Sequence, residues 1–272
     1  MIRMCELPSG PVLIFDSGIG GLTVLREARM VMPERHFVYV ADNAAFPYGD
    51  WEEDALLEHM LSLFEMLLHR IRPVAVIIAC NTAFTLAGEA LRQRFSETAF
   101  IGTVPAIKPA AERTVSGLIS VLATPATVTR DYTRLLISTF AGNCEVTLVG
   151  SKTLAALAES YVSGGSVSDD DLRAEIAPCF ISGGSGKTDI VVLACTHYPF
   201  LANRFRRLAP WPVDWLNPAE AIALQARRVI GAGGERDTES NQDRAFFTKA
   251  DVSPQIIRLM QGFGVKPDFA NI

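Results

Sequence analysis

Short apolar runs alternate with longer amphipathic segments along almost the whole chain. Residues 74–80 form an apolar run of strand length, whereas residues 52–71 repeat their apolar side chains at helical spacing. Similar apolar runs predict further strands at 11–15, 36–41, 118–123, 145–149, 189–195 and 245–248. Helices are predicted at 20–31, 82–95, 128–140, 154–162, 169–181, 199–208 and from 253 onward. This alternation predicts an α/β fold with mainly parallel sheets flanked by helices.

Two stretches of the chain resemble each other and suggest two related halves. Residues 77–82 read Ile-Ile-Ala-Cys-Asn-Thr, and residues 192–197, at an offset of 115, read Val-Leu-Ala-Cys-Thr-His. We therefore predict two similar domains with the active site in the cleft between them. Prolines mark the two points at which the chain is predicted to pass from one domain to the other. The predicted division assigns residues 1–104 plus 215–272 to the first domain and residues 105–214 to the second.

The composition is typical of a globular protein and argues against several classes of function. Of the 272 residues, 49% are hydrophobic and 20% are charged, which separates the chain from disordered proteins. The net charge of −5 does not favour a nucleic-acid partner, and the apolar runs are too short to span a membrane. Because the N-terminal residues contain no apolar signal segment, we expect a cytoplasmic protein.

The five cysteines are odd in number and widely spaced, which does not fit a disulfide framework. Cys195 and His197 form the one close pair of metal-ligand type, but a zinc site needs three or four ligands. We therefore expect no metal. A cysteine alone at a strand end is more often buried packing than a reactive group.

Cys80 and Cys195 each fall at the carboxyl end of a predicted parallel strand, directly before a predicted helix. Ligands of open α/β sheets bind at that edge. A helix N-terminus also favours the thiolate form, so we expect a lowered pKa for these thiols. Two cysteines in the same local context favour paired chemistry on one small substrate.

Two glycine-rich segments look like nucleotide-binding loops but depart from the patterns. The turn Asp16-Ser17-Gly18-Ile19-Gly20-Gly21 has Thr23 where a dinucleotide fingerprint needs glycine, although its peptide N–H groups can still face an anion. The segment 182–188 ends in Gly-Lys-Thr, but Ile181 stands where a P-loop needs glycine, and a strand follows rather than precedes it. We interpret 182–188 as a surface loop.

Several further motifs follow other predicted strands and become binding candidates by that position. With the two cysteine motifs they give the chain its resemblance to the glutamate racemases of the cofactor-independent aspartate/glutamate racemase family, over almost the whole sequence. The matching segments are Phe15 to Thr23, Pro47-Tyr48-Gly49, Ala79 to Ala83, Ala123 to Thr127 and Leu193 to Pro199.

The resemblance implies a set of site residues. It makes Cys80 and Cys195 the catalytic acid and base, with Asp16 and His197 assisting them. Residues that would line the substrate pocket are Asp16, Ser17, Tyr48, Gly49, Asn81, Thr82, Thr124, Thr196 and His197. Glu159 matches an auxiliary carboxylate by its place in the pattern, although the residues around it match poorly, and it is left outside this set.

The implied reaction is reversible interconversion of L- and D-glutamate, which supplies D-glutamate for peptidoglycan, without a cofactor. Inverting an α-carbon needs a base on one face and an acid on the other, which two thiols can provide. The resemblance implies glutamate as the small-molecule partner and is compatible with a homodimer, although the sequence does not set the oligomeric state.

Three alternatives stay open. The same two thiols could racemise aspartate or another small amino acid. Phosphotransfer would require nucleotide binding that depends on Lys187. A non-enzymatic binding module would function without either cysteine.

Overall fold

The computed structural model describes residues 10–184, 186–231 and 242–269. Cys5, Ser185 and most of the Gly-rich polar stretch 231–243 lie outside these ranges. The strands are β1 (Val12–Asp16), β2 (Phe37–Ala41), β3 (Ala75–Ile78), β4 (Phe100–Gly102), β5 (Leu118–Ala123), β6 (Glu145–Gly150), β7 (Ser182–Gly183), β8 (Gly186–Lys187), β9 (Ile190–Ala194), β10 (Asp214–Leu216), β11 (Arg244–Phe247) and β12 (Lys266–Asp268). The helices are α1 (Leu22–Val31), α2 (Glu53–Ile71), α3 (Asn81–Arg94), α4 (Ile107–Arg113), α5 (Pro125–Thr129), α6 (Asp131–Phe140), α7 (Leu154–Val162), α8 (Asp169–Ile176), α9 (Ala202–Leu208), α10 (Ala219–Ile230) and α11 (Pro254–Gly262).

Ten of the strands form two parallel sheets. The first has the order β12-β11-β2-β1-β3-β4, and the second has the order β10-β9-β5-β6. Within the described ranges, the antiparallel pairing is confined to the short hairpin of β7 and β8. The predicted α/β class with mainly parallel sheets is therefore confirmed.

Helices cover both faces of each sheet. In the first sheet, α1, α10 and α11 pack on one face and α2 and α3 on the other. In the second sheet, α7, α8 and α9 cover one face and α4 and α6 the other. Because both faces are covered, β1 and β9 are buried along their whole length, which explains their continuous apolar sequences.

Three predicted helices differ clearly from the structure. The predicted helix 199–208 begins as a 3₁₀ turn at Tyr198–Leu201 and becomes α-helical at Ala202. The predicted helix 128–140 is split into α5 and α6, because Arg130 between them has an extended backbone with φ −66° and ψ 137°. The predicted helix 169–181 leaves the α-helical path after Ile176 and continues as a 3₁₀ turn at Ala177–Cys179. Pro178 lacks the N–H that a longer α-helix would use.

Seven elements are absent from the prediction. Six of them, β4, β7, β8, β10, β12 and α4, are short segments of two to seven residues. The seventh, α10, is a full amphipathic helix that buries Ile222, Ala223 and Ala226. It begins directly after Pro218, which the sequence analysis places where the chain passes between the two domains.

The strand pairings bear on how the chain divides into domains. The C-terminal strands β11 and β12 extend the first sheet beyond β2, whereas β10 pairs with β9 in the second sheet. The division into 1–104 plus 215–272 and 105–214 stays a proposal. We propose that the chain returns to the first domain after Leu216, so that β10 belongs to the same domain as the rest of its sheet.

The helices of the described ranges are too short or too polar to cross a membrane.

Candidate active site

A narrow cleft lies where the carboxyl ends of strands from both sheets face each other. The cleft has an empty volume of about 340 Å³, part of which is open to solvent. Its lining consists of Ser17, Phe46, Pro47, Tyr48, Gly49, Cys80, Asn81, Thr82, Thr124, Ala155, Ala194, Cys195, Thr196 and His197. All the residues that the resemblance placed in the pocket therefore line the cleft, except Asp16, which is fully buried behind it.

Cys80 occupies the position between β3 and α3. Its sulfur caps the helix by accepting the N–H of Ala83 at 3.5 Å, and the Ser17 hydroxyl lies 3.6 Å away. Burial and the nearby Asp16 carboxylate nevertheless raise the pKa of the Cys80 thiol to about 12, because they outweigh these two hydrogen bonds. The expectation that the helix N-terminus lowers this pKa is therefore wrong for Cys80. The sequence showed the helix start but not the depth of burial.

Cys195 follows β9 and has a different polar environment. His197 Nδ1 lies 3.9 Å from its sulfur, and the other ring nitrogen of His197 contacts Glu159 Oε1 at 2.9 Å. Burial lowers the pKa of His197, but hydrogen bonds to Cys195 and Glu159 outweigh burial and hold the pKa well above its usual range. When it is protonated, His197 can donate a hydrogen bond from Nδ1 to the Cys195 sulfur.

Glu159 reaches this site from α7. In addition to His197, its Oε1 accepts the N–H of Ile19 at 3.1 Å, from the turn that follows β1. The glycines of that turn permit the close approach, since a Cβ on Gly20 would lie 2.6 Å from His197 Nδ1. The local motif around Glu159 gave little sign of this role. Its one sequence signal was its place in the family pattern.

Asp16 ties the two halves of the cleft together at its base. The Gly18 N–H and the Thr196 hydroxyl each donate to its carboxylate at 2.9 Å. Burial raises the pKa of Asp16, while His197 and these two hydrogen bonds oppose the rise. Asp16 thus holds Thr196 in place and adds negative charge beside Cys80.

Hydroxyl and amide groups form one wall of the cleft. The hydroxyl groups of Thr82 and Thr124 lie 3.0 Å apart, and Thr127 contacts Thr124 at 3.1 Å. Thr82 and Thr124 come from opposite halves, at the starts of α3 and α5. The Asn81 amide is buried without a protein partner among the described residues, although it lines the cleft. An unpaired buried amide at that place is suited to binding a polar ligand.

The segment around Tyr48 forms another part of the rim. Tyr48 and Gly49 line the cleft, but the Tyr48 hydroxyl donates to Asp42 at 2.5 Å and not into the cleft. Phe46 also lines the cleft, and its ring lies 5.4 Å from the ring of His197. Sequence reasoning missed Phe46, although it directly precedes the recognised Pro47-Tyr48-Gly49 motif.

The P-loop-like segment lies away from the cleft. Its described residues form the β7–β8 hairpin, which precedes β9, whereas the cleft is at the carboxyl end of β9. Lys187 Nζ lies over the ring of Trp211 at 4.8 Å. In the described part of the chain, no group of three or more His, Cys, Asp and Glu residues is placed to hold a metal ion.

In sequence, the chain is similar to glutamate racemases of other bacteria. The chain is 64% identical over 255 residues to a glutamate racemase of Agrobacterium fabrum, which covers 94% of this chain and 93% of that protein. It is 58% identical over 260 residues to a glutamate racemase of Brucella ovis, covering 95% and 94%.

Solved structures show the same fold. The Escherichia coli glutamate racemase, crystallised with L-glutamate and the activator UDP-MurNAc-Ala, superposes with a TM-score of 0.85 at 34% identity, covering 96% of this chain and 97% of that one. The sequence pattern of the Asp/Glu/Hydantoin racemase family matches residues 24–226, which is more than half of the chain. The chain therefore belongs to the Asp/Glu/Hydantoin racemase family, and it is an amino-acid racemase.

Proposed function

We propose that this racemase interconverts L- and D-glutamate, with the thiols of Cys80 and Cys195 acting from opposite faces of the substrate α-carbon. The observation that carries the proposal is that the two cysteines line one narrow cleft while belonging to different sheets. A substrate held between them would present each face of its α-carbon to one sulfur.

The different environments of the two thiols support a division of labour in the resting enzyme. Cys80 keeps its proton, since burial and Asp16 raise its pKa to about 12. Protonated His197 lies beside Cys195 and can donate a hydrogen bond to its sulfur. In one direction, the Cys195 thiolate removes the α-proton and the Cys80 thiol donates its own proton to the opposite face. In the other direction the roles are exchanged, as microscopic reversibility requires.

The cleft offers neutral donors for the two carboxylates of glutamate. The lining includes Thr82 and Thr124 with their hydroxyls, Asn81 with its amide, and Tyr48 and Gly49. Hydroxyl and N–H donors suffice to hold carboxylates when they converge in a site that excludes water. We propose that the Thr124 hydroxyl and main-chain N–H groups around Thr196 contact the distal carboxylate, since the Thr196 hydroxyl donates its proton to Asp16. Glutamate is then bound more productively than aspartate, whose side chain is one methylene shorter.

The same relatives support a proposal for the biological role. We propose that the D-glutamate serves peptidoglycan synthesis in the cytoplasm, without a cofactor. The E. coli relative was crystallised with a muramic-acid nucleotide as its activator, which links that protein to cell-wall precursors.

Racemisation in deuterated water tests the two-base reaction. Each enantiomer of glutamate should yield the opposite enantiomer with solvent deuterium at the α-carbon, because the donating thiol has exchanged with solvent. The remaining substrate should gain deuterium more slowly, since a proton returns to the same face only after the base itself exchanges. Equal labelling of substrate and product from the first turnover would indicate a single base. Faster turnover of aspartate than of glutamate would change the assigned substrate.

A further inference from the structure

The carboxylate of Asp42 lies fully buried just beyond β2 and joins three segments of the chain. It accepts hydrogen bonds from the Tyr48 hydroxyl at 2.5 Å and from the Thr248 hydroxyl at 2.7 Å. The third partner is His59 Nε2 on α2, at 2.6 Å. Because a carboxylate only accepts hydrogen bonds, Nε2 of His59 carries the proton.

His59 also packs against the segment that contains Tyr48. Its ring lies 5.2 Å from the ring of Trp51 and meets the ring of Tyr48 edge-on at 6.4 Å. The Trp51 indole N–H donates to the carbonyl of Ala45 at 2.9 Å. His59 therefore contacts Tyr48 and Trp51 of the segment 45–51, which forms one rim of the cleft, and Trp51 joins the two ends of that segment.

His59 does not itself line the cleft, whereas Tyr48 and Gly49 do. Tyr48 and His59 bind the same carboxylate oxygen, Oδ2 of Asp42. Without His59, that buried oxygen would keep Tyr48 as its one strong donor on that side, and an under-satisfied buried carboxylate is costly. Rearrangement of Asp42 would move the Tyr48 side chain, and with it the peptide groups of the rim.

We propose that His59 is a positioning residue, which acts through Asp42 and Tyr48 to fix the 45–51 rim and thereby sets substrate affinity. The inference rests on the proposed function for its substrate, glutamate. It assigns His59 no contact with the substrate and no part in proton transfer. It therefore predicts an effect on KM that is much larger than the effect on kcat.

Three variants of the full chain separate the contributions of His59. His59→Phe keeps an aromatic ring beside Trp51 but removes the hydrogen bond to Asp42. His59→Gln restores an N–H donor of similar reach. His69→Gln is the matched control, because His69 lies exposed in the last turn of the same helix.

For His59→Phe we expect KM for glutamate to rise about 5- to 20-fold while kcat changes less than about 3-fold, since a hydrogen bond to a charged group is lost outside the reacting centre. His59→Gln should return KM to within about 3-fold of wild type, and His69→Gln should match wild type. A fall in kcat at unchanged KM in His59→Phe, or a failure of Gln to rescue, would overturn the inference.

Hydrogen–deuterium exchange without substrate tests the same inference independently of the reaction. His59→Phe should speed exchange of the amides in 45–51, with exchange in the buried strand β5 unchanged. Unchanged exchange in 45–51, or faster exchange throughout the chain, would contradict a positioning role. If wild type fails to racemise glutamate, the proposed function is wrong, yet the exchange experiment still decides the role of His59.

Discussion

Replacing Glu159 by Gln tests whether the charge beside His197 drives the reaction. The substitution keeps the size of the side chain and an oxygen that can accept the Ile19 N–H, but it removes the negative charge 2.9 Å from His197 Nε2. The Glu159 side chain is 24% exposed and that of His197 is 2% exposed, so solvent screens this pair only in part.

The size of the effect follows from the lost charge-assisted hydrogen bond, which contributes about 1.5–3 kcal/mol. If that stabilisation acts in the transition state, kcat/KM falls about 10- to 150-fold. L- and D-glutamate are equally stable, so kcat/KM must fall by the same factor in both directions. The primary isotope effect with α-deuterated glutamate can still become unequal, because only the Cys195 half of the reaction depends on His197.

The pKa of His197 predicts the direction in which activity changes with pH. Hydrogen bonds to Cys195 and Glu159 outweigh burial and raise the pKa of His197 well above 6.5, so the protonated form persists to higher pH than for a free imidazole. Activity that needs this form is therefore lost as pH rises through the raised pKa. In Glu159→Gln the pKa falls, and the alkaline limb should move to lower pH.

Circular dichroism of each enantiomer, followed from pH 6 to about 10, measures both quantities across the ordinary pKa range of these groups. Glu175→Gln is a matched control, because this carboxylate on α8 also accepts a hydrogen bond, from the Thr153 hydroxyl, outside the cleft. We expect it to behave as wild type. A Glu159→Gln enzyme within about 3-fold of wild type, with an unmoved alkaline limb, would refute the charge argument.

Three further predictions concern single positions. Cys80→Ala and Cys195→Ala should each abolish racemisation in both directions, and the Ser variants should be severely impaired because a hydroxyl is far harder to ionise than a thiol; near wild-type turnover of either Ala variant would exclude the two-thiol mechanism. Gly20→Ala should reduce kcat/KM at least about 10-fold, because its Cβ would overlap Thr196 in the cleft wall; unchanged kinetics with a folded far-ultraviolet spectrum would show that the wall yields. Lys187→Ala should leave racemisation unchanged and should bind ATP no differently from wild type. Measurable ATP binding by wild type that is lost in Lys187→Ala would support the phosphotransfer alternative.

The sequence was sufficient to predict the layout of the fold, because buried parallel strands leave long apolar runs. The strands β1, β3, β5 and β9 were all predicted, and their carboxyl ends carry the site. The short strands β4, β10 and β12 were not predicted. A strand of three residues is too brief to show a period, and its pairing depends on neighbours that are distant in sequence.

Residues of the cleft were predictable to the extent that they stand next to a strand end. Ser17, Asn81 and Thr196 each stand within two residues of the end of a predicted strand, and all three line the cleft. Phe46 and Glu159 lie in a loop and a helix, where local sequence does not indicate which side chain faces the site. Tertiary packing alone brings Glu159 to His197.

Protonation was the property that local sequence predicted worst, and the reason is physical. A strand-to-helix junction suggested two similar thiols with lowered pKa, since the helix N-terminus contributes by its local geometry. Burial and the charges of residues distant in sequence decide the outcome instead. Burial and the nearby Asp16 raise the pKa of Cys80 to about 12, whereas Cys195 has His197 beside it. A two-base racemase needs one protonated and one deprotonated group before each turnover. Two similar domains can meet this requirement only if the surroundings of their two cysteines differ, as they do here.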